Sequence, residues 1–284
     1  MTLHDARTHA AQALAQLPYY APPEAAAIAK HLLAELLQLK PHELILHRDR
    51  ALEPAQEARF AHYLARLLEG EPLQYIVGHA PFMGLLLEVN RHTLIPRPET
   101  EELVAWITAS HTRVARILDV GTGSGCIALS LKEAYPAAEV LGIDIDPLAV
   151  RTAERNARRV GLLAHFTTQN ALAAPPEAYT GLDLLVANPP YVPTWERHSL
   201  NPNVEAWEPP TALFVPDDDP LLHYRNLAHK GHTWLRPGGW LYVEAHTRYA
   251  EAVGQLFTDA FYRFAEVRND LQGRPRHVRA QLPD

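Results

Sequence analysis

Asp119-Val120-Gly121-Thr122-Gly123-Ser124-Gly125 follows the apolar run Ile117-Leu118-Asp119-Val120 and leads into a helical pattern over Ser124–Ala134. Glycines between a strand and a helix let the backbone turn tightly and approach a ligand closely. The next strand pattern, Val140-Leu141-Gly142-Ile143-Asp144, ends on a carboxylate about 20 residues after the loop, where it can accept hydrogen bonds from ribose hydroxyls. A helix is expected over Pro147–Val160. Further strands are expected at His165–Thr168, Leu182–Ala187, Trp240–Glu244, Phe264–Val267 and Val278–Leu282. Strands alternating with helices imply an α/β domain with a mostly parallel sheet covered on both faces. Loop and acidic residue together suit a dinucleotide or an adenosyl ligand. Two details favour the adenosyl one: the loop reads GxGxG rather than GxGxxG, and Asp119 precedes it, where a carboxylate suits a cationic ligand end. A pyrophosphate needs the positive helix N-terminus, whereas S-adenosylmethionine carries an ammonium and a sulfonium instead.

Residues 1–80 read as helices. Apolar residues recur at helical spacing through Ala25, Ile28, Leu32, Leu33, Leu36 and Leu37 after Pro22-Pro23-Glu24, and a second helix is expected over Pro54–Leu68, stopped by Gly70. This region is expected to be a small helical domain, either a structural cap or a docking module. Residues 81–96 read as a β-hairpin linker, with Phe82–Val89 and Thr93-Leu94-Ile95 as strands around a turn at Asn90-Arg91. Residues 97–284 form the α/β domain. A helix opens at Pro96-Arg97-Pro98-Glu99-Thr100-Glu101, where proline and acidic residues suit a first turn.

The chain has 284 residues, enough for one sizeable domain and a smaller one. A formal net charge of −7 argues against a general grip on phosphates, so no stable nucleic-acid binding is expected. One cysteine, Cys126, excludes an intrachain disulfide and fits a reducing compartment. The 16 histidines are scattered without an HExxH-like pair, so no metal site is expected. There is no signal-peptide pattern and no apolar stretch near the roughly 20 residues that cross a bilayer, so a cytoplasmic protein without membrane attachment is expected.

The fourth strand runs directly into Asn188-Pro189-Pro190-Tyr191. The prolines fix the chain and remove two donors at the carboxyl end of a parallel strand, where such sheets bind ligands. A chemical reason exists for the flanking residues. An amide nitrogen is a poor nucleophile because its lone pair is delocalised. The Asn188 side-chain oxygen and the Pro189 carbonyl can each accept one N–H of an acceptor NH2, directing its lone pair at a sulfonium methyl. Tyr191 can stack on the planar acceptor group. Catalysis would then be positioning and electrostatics, with no strong base needed if the proton leaves after transfer.

At these residues the chain resembles the HemK-type release-factor glutamine N5-methyltransferases. The resemblance runs from Ile95-Pro96-Arg97-Pro98-Glu99-Thr100-Glu101 through the glycine loop and Asn188–Tyr191 to Glu208-Pro209 with Ala212-Leu213. It continues through Leu235-Arg236-Pro237-Gly238-Gly239, Glu244 and Gly273-Arg274. It implies a seven-stranded Rossmann-like S-adenosylmethionine-dependent methyltransferase domain with a small N-terminal helical domain and a β-hairpin linker. As substrate it implies the glutamine of the Gly-Gly-Gln motif in class-I peptide chain release factors. Gly121, Thr122, Gly123, Ser124, Gly125 and Asp144 would bind the cofactor. Asn188, Pro189, Pro190 and Tyr191 would hold the glutamine, with Asn188, Pro189 and Tyr191 serving catalysis and Asn188 also near the methyl donor. Three departures stand out. Asn170-Ala171 replaces an acidic residue followed by a large aromatic beside the adenine; Ala245-His246 replaces glycine and glutamine; and Pro216–Pro220 lacks a glycine. Alternatives are a ribosomal-protein glutamine methyltransferase, disfavoured by the linker segment, a DNA adenine methyltransferase, disfavoured by the charge, and a non-catalytic relative of the fold.

Overall fold

The computed structural model describes residues 1–175 and 179–284. Contacts divide the chain into two compact units, Met1–Gly78 with His198–Trp207, and His79–Arg197 with Glu208–Asp284. The first unit holds α1 (Leu3–Leu14), α2 (Pro22–Leu37), α3 (Glu43–Leu46), α4 (Pro54–Leu68) and α5 (Leu73–Val77). Its core gathers Leu14, Leu32, Leu33, Phe60, Leu64 and Leu67, the apolar stripes of α1, α2 and α4. Both α2 and α4 begin on proline, as the missing N–H costs nothing in a first turn. The helix α1 starts at a capping box in which Thr2 and Asp5 satisfy each other's backbone N–H.

The second unit opens with β1 (His79–Phe82) and β2 (Leu85–Glu88), an antiparallel pair. The hairpin was expected to turn at Asn90-Arg91; it turns instead at Met83-Gly84, where both residues take positive φ, 47° and 84°. A two-residue turn with that backbone matches the strand twist, and glycine supplies half of it without strain. Asn90 serves locally, accepting from the His92 N–H at 3.0 Å and donating to Thr152 at 2.9 Å. The order then runs α6 (Pro98–Ser110), β3 (Arg116–Val120), α7 (Cys126–Ala134), β4 (Glu139–Asp144), α8 (Pro147–Val160), β5 (His165–Thr168), β6 (Leu182–Ala187) and β7 (Val192–Pro193). Beyond α9 (Pro202–Trp207), which belongs to the first unit, follow α10 (Pro210–Leu213), β8 (Phe214–Val215), α11 (Leu222–Trp234), β9 (Leu235–Glu244), α12 (Ala250–Asp259), β10 (Arg263–Asn269) and β11 (Pro275–Gln281).

Seven strands form one sheet in the order β10-β11-β9-β6-β3-β4-β5, with β3, β4, β5, β6 and β9 parallel and β11 and β10 antiparallel. Alternate residues of β6 feed two cores. Leu185 and Ala187 join one cluster with Tyr224 and Trp234 of α11, while Leu184 and Val186 join another with Leu103 and Ile107 of α6. Burial on both faces explains why these strands read as unbroken apolar runs. From β3 the chain winds outward to β4 and β5, then returns to β6 on the other side of β3. That reversal opens a crevice at the carboxyl ends of the strands, where such sheets bind ligands.

Parallel register aligns what leaves the sheet there. Val120 pairs with Ile143 and with Ala187, and Ala187 pairs with Val243. The residues that follow, Gly121, Asp144, Asn188 and Glu244, therefore stand side by side in one row. Among the described residues, no helix is long and apolar enough to cross a membrane.

Candidate active site

At that row lies a cavity of about 330 Å³. Its walls carry Gly121, Thr122, Gly123 and Ser124 from the β3–α7 loop, Asp144 from β4, Gln169, Asn170 and Ala171 after β5, and Asn188, Pro189 and Pro190 after β6. Residues from four strand ends and from α6 and α10 thus converge on one space.

The cofactor half is built mostly from backbone. Gly121 and Thr122 donate their N–H groups to the Ile143 carbonyl at 2.8 and 2.9 Å, pinning the loop to β4. Gly125 caps α7 with φ at 81°, and a Cβ there would meet Ala153, Leu129 and Phe166 at 3.2–3.3 Å. Asp144 accepts from the Gly123 N–H at 2.9 Å and the Asp146 N–H at 3.0 Å. A carboxylate has about four acceptor positions, so capacity remains for a ligand hydroxyl. Burial raises the Asp144 pKa above the usual range, partly offset by those N–H donors.

Asp119 was expected to face a cationic ligand end. It lies instead under the loop, fully buried in β3 and outside the cavity wall. Its Oδ2 accepts from the Thr122 hydroxyl at 2.7 Å and the Ala128 N–H at 3.2 Å, while Oδ1 has no hydrogen-bond partner among the described residues. Loss of solvent pushes its pKa up to about 7. Where an aromatic was expected to be missing, at Ala171, the wall offers Ile145 and Leu172, two aliphatic side chains left 57% and 39% exposed. Apolar faces flanking a polar edge suit a flat purine. Asn170 spends its Oδ1 on the Leu172 N–H at 2.9 Å, leaving its NH2 as the available edge group. Acidic Asp144, no lysine on the wall and apolar flanks together fit a cationic adenosyl ligand.

The acceptor half is built from side chains. Asn188 Nδ2 donates to Thr100 Oγ1 at 3.0 Å, and the Thr100 hydroxyl donates to Glu244 Oε2 at 2.6 Å. The Tyr191 hydroxyl donates to Glu244 Oε1 at 3.0 Å. Tyr191, expected to stack on the acceptor, is not among the side chains lining the cavity. Its ring packs against the sheet core, edge-on to His246 at 6.0 Å with the Arg276 guanidinium 5.9 Å away. Burial drives its pKa upward, so it stays a neutral donor. At the start of α6 Arg97 reaches Glu208 Oε1 at 2.5 Å, and Glu208 also accepts from the Ile95 N–H at 3.2 Å. His223 from α11 completes the wall; burial lowers its pKa and keeps it neutral.

Thr100, Glu208, Glu244 and His223 were given no role in the site from sequence. The first three stand in segments singled out above, but 88 to 144 residues separate the partners of the Asn188–Thr100–Glu244 chain. His223 carries no signal that distinguishes it among 16 histidines.

The PrmC N-terminal domain model matches residues 5–78, and the Methyltransferase small domain model matches residues 99–200. A release factor glutamine methyltransferase of Bacteroides thetaiotaomicron is 37% identical, covering 92% of this chain and 94% of that relative. One from Flavobacterium psychrophilum is 36% identical, covering 99% and 100%. A methyltransferase crystal structure from Pyrococcus furiosus superposes with a TM-score of 0.54 at 14% identity, covering 79% of this chain and 100% of that one, a likeness of fold alone.

Proposed function

The chain belongs to the release factor glutamine methyltransferases, and from that premise we propose how its residues divide the reaction. It is an S-adenosylmethionine-dependent protein-glutamine methyltransferase. The acceptor we assign is the glutamine side chain of the Gly-Gly-Gln motif in class-I release factors. Gly121, Thr122, Gly123, Ser124 and Gly125 hold the amino-acid end of the cofactor and Asp144 the ribose. Ile145, Leu172 and Asn170 hold the purine. The cofactor supplies an electrophilic methyl on a sulfonium.

The protein's own work is on the acceptor. Asn188 Oδ1 carries no hydrogen bond among the described residues, while its Nδ2 is committed to Thr100. That uncommitted oxygen on the cavity wall, level with the glycine loop, is the observation that carries the reading. It accepts one N–H of the substrate amide and the Pro189 carbonyl accepts the other, which fixes the nitrogen in line for attack. Pro190 holds the strand exit rigid, and Tyr191 braces the motif from behind. Both anchoring atoms belong to one stiff tetrapeptide, so little entropy is lost when they bind the substrate. The proton leaves after transfer, and neither Cys126 nor His223 serves as a strong base: burial pushes the Cys126 thiol up to about 12 and lowers the His223 pKa, which weakens it as a base.

The helical unit, which matches the PrmC N-terminal domain model, is assigned to docking of the protein substrate. With a release factor as substrate we assign the enzyme to the cytoplasm, and its net charge of −7 disfavours stable nucleic-acid binding. Incubation with labelled S-adenosylmethionine, a class-I release factor, ribosomal proteins and DNA tests the assignment. Label on the Gly-Gly-Gln glutamine, located by mass spectrometry, is expected. Label only on a ribosomal protein or DNA sinks it.

A further inference from the structure

We propose that Glu244 is a positioning residue that sets which end of the Asn188 carboxamide faces the substrate; this rests on the acceptor role given to Asn188 above. An asparagine amide can be turned over with little change of shape, exchanging an acceptor for a donor. The surrounding hydrogen bonds decide, and here they run in one direction. An ionised carboxylate only accepts. Glu244 is 1% exposed, and its two oxygens take the Tyr191 and Thr100 hydroxyls. Thr100 has one hydrogen, and it is spent on Glu244. What Thr100 offers Asn188 is therefore a lone pair, which only the NH2 end can meet, at 3.0 Å. Oδ1 is left toward the cavity, where an acceptor amide brings N–H groups. The reversed amide would set NH2 against NH2.

Glu244 does this from two bonds away without touching substrate, and it braces both ends of Asn188–Tyr191 through one group. The register Ala187↔Val243 places it beside Asn188. The titratable groups around it are Glu99 from α6, Cys126 from α7, Tyr191, Tyr224 from α11, and Arg276 and His277 from β11. Burial raises its pKa first, while the Thr100 and Tyr191 hydrogen bonds and Arg276 oppose the rise and Glu99 adds to it. Protonation would give Glu244 a donor of its own and release Thr100 from its fixed direction. The active form is the carboxylate, so turnover should fall on the acid side at a pH above that of an ordinary glutamate.

The test compares wild type with Glu244→Gln, Thr100→Val and Thr100→Ser on whichever acceptor protein the wild type methylates, so that a wrong acceptor and a wrong role for Glu244 give different results. Glu244→Gln and Thr100→Val should each lower kcat by roughly one to two orders of magnitude, as loss of alignment does. KM and the calorimetric affinity for S-adenosylmethionine should stay near wild type. Thr100→Ser, which keeps the hydroxyl, should retain most activity. The double variant Thr100→Val/Glu244→Gln should be no worse than either single one, because both break one chain. In the ligand-free protein, the Asn188 side-chain NH2 resonances should shift in Glu244→Gln while the backbone amide spectrum of the sheet is retained. Thr100→Val removes one of the two hydroxyl donors to the buried carboxylate, whereas Thr100→Ser keeps it, so the contrast between these two separates the role from a folding defect. Unchanged kcat in Thr100→Val, or equal loss in Thr100→Ser, overturns the proposal, as does an Asn188 signal that ignores Glu244.

Discussion

The two halves of the cavity are made in different ways. On the proposed cofactor side the loop Gly121–Gly125, locked to the end of β4 through Ile143 and Asp144, presents mostly backbone, with side chains only for the ribose and purine. On the acceptor side they are side chains from α6, β6 and β9, tied through one buried carboxylate. A main-chain site needs only the right turn, and tolerates exchange of the side chains it displays. A side-chain site needs every partner in place. The departure at Asn170-Ala171 falls on the tolerant half, where Ile145 and Leu172 supply other apolar faces.

The comparison breaks most visibly at Asn188. Replacing it with alanine removes the oxygen proposed to accept the substrate N–H, and turnover should fall by roughly 10²–10³-fold, the scale of losing one aligned polar group in a water-excluded site. Calorimetry should show cofactor affinity little changed, because the glycine loop is untouched; a large loss of affinity would mean the halves are not separate. Next in size is Arg97→Met. It leaves Glu208, 3% exposed, without its guanidinium, and should cost about 2 kcal/mol in denaturant unfolding, less than a fully buried pair because Arg97 is partly exposed. Stability equal to wild type would show that the Ile95 N–H suffices for Glu208.

Asp119→Asn probes the cofactor half through pH. The folded state keeps the Asp119 proton up to about 7, whereas the ordinary value is 3.8. The folded state therefore binds more protons than the unfolded one between those values, and stability falls as pH rises through that window, by roughly 1 kcal/mol per unit. The variant should lack this slope, so the difference in urea midpoint between variant and wild type should grow from pH 4 to pH 7 and then level off. A constant difference would place the Asp119 pKa near its ordinary value. The smallest effect is expected for Ala171→Phe, which restores an aromatic beside the purine. Cofactor affinity should rise by about two- to tenfold, with kcat unchanged. No gain would show that Ile145 and Leu172 already fill both faces.

Much of the fold was legible because its signals are local. All seven sheet strands were expected from apolar runs, and α2, α4, α8, β5 and β6 have the expected ends. Proline starts and glycine stops are read within a few residues. The hairpin turn was misplaced because Asn90-Arg91 resembles a turn in polarity, while the two positive φ values at Met83-Gly84 become decisive only once β1 is known to pair with β2. The helices α11 and α12 were not anticipated, although each buries residues at helical spacing, Tyr224, Leu227, Ala228 and Gly231 in one and Ala250, Val253, Gly254 and Phe257 in the other.

For the site, the sequence by itself marked the glycine loop, the acidic residue at the end of the next strand and the rigid Asn-Pro-Pro-Tyr exit, because each is a property of a few consecutive residues. Only the tertiary structure decided where Tyr191 and Asp119 point, and that Thr100 and Glu244 stand behind Asn188. The physical reason is register. Parallel strands bring Gly121, Asp144, Asn188 and Glu244 to one level at the end of the sheet, and no local pattern states which residues of strands far apart in the chain will share that level.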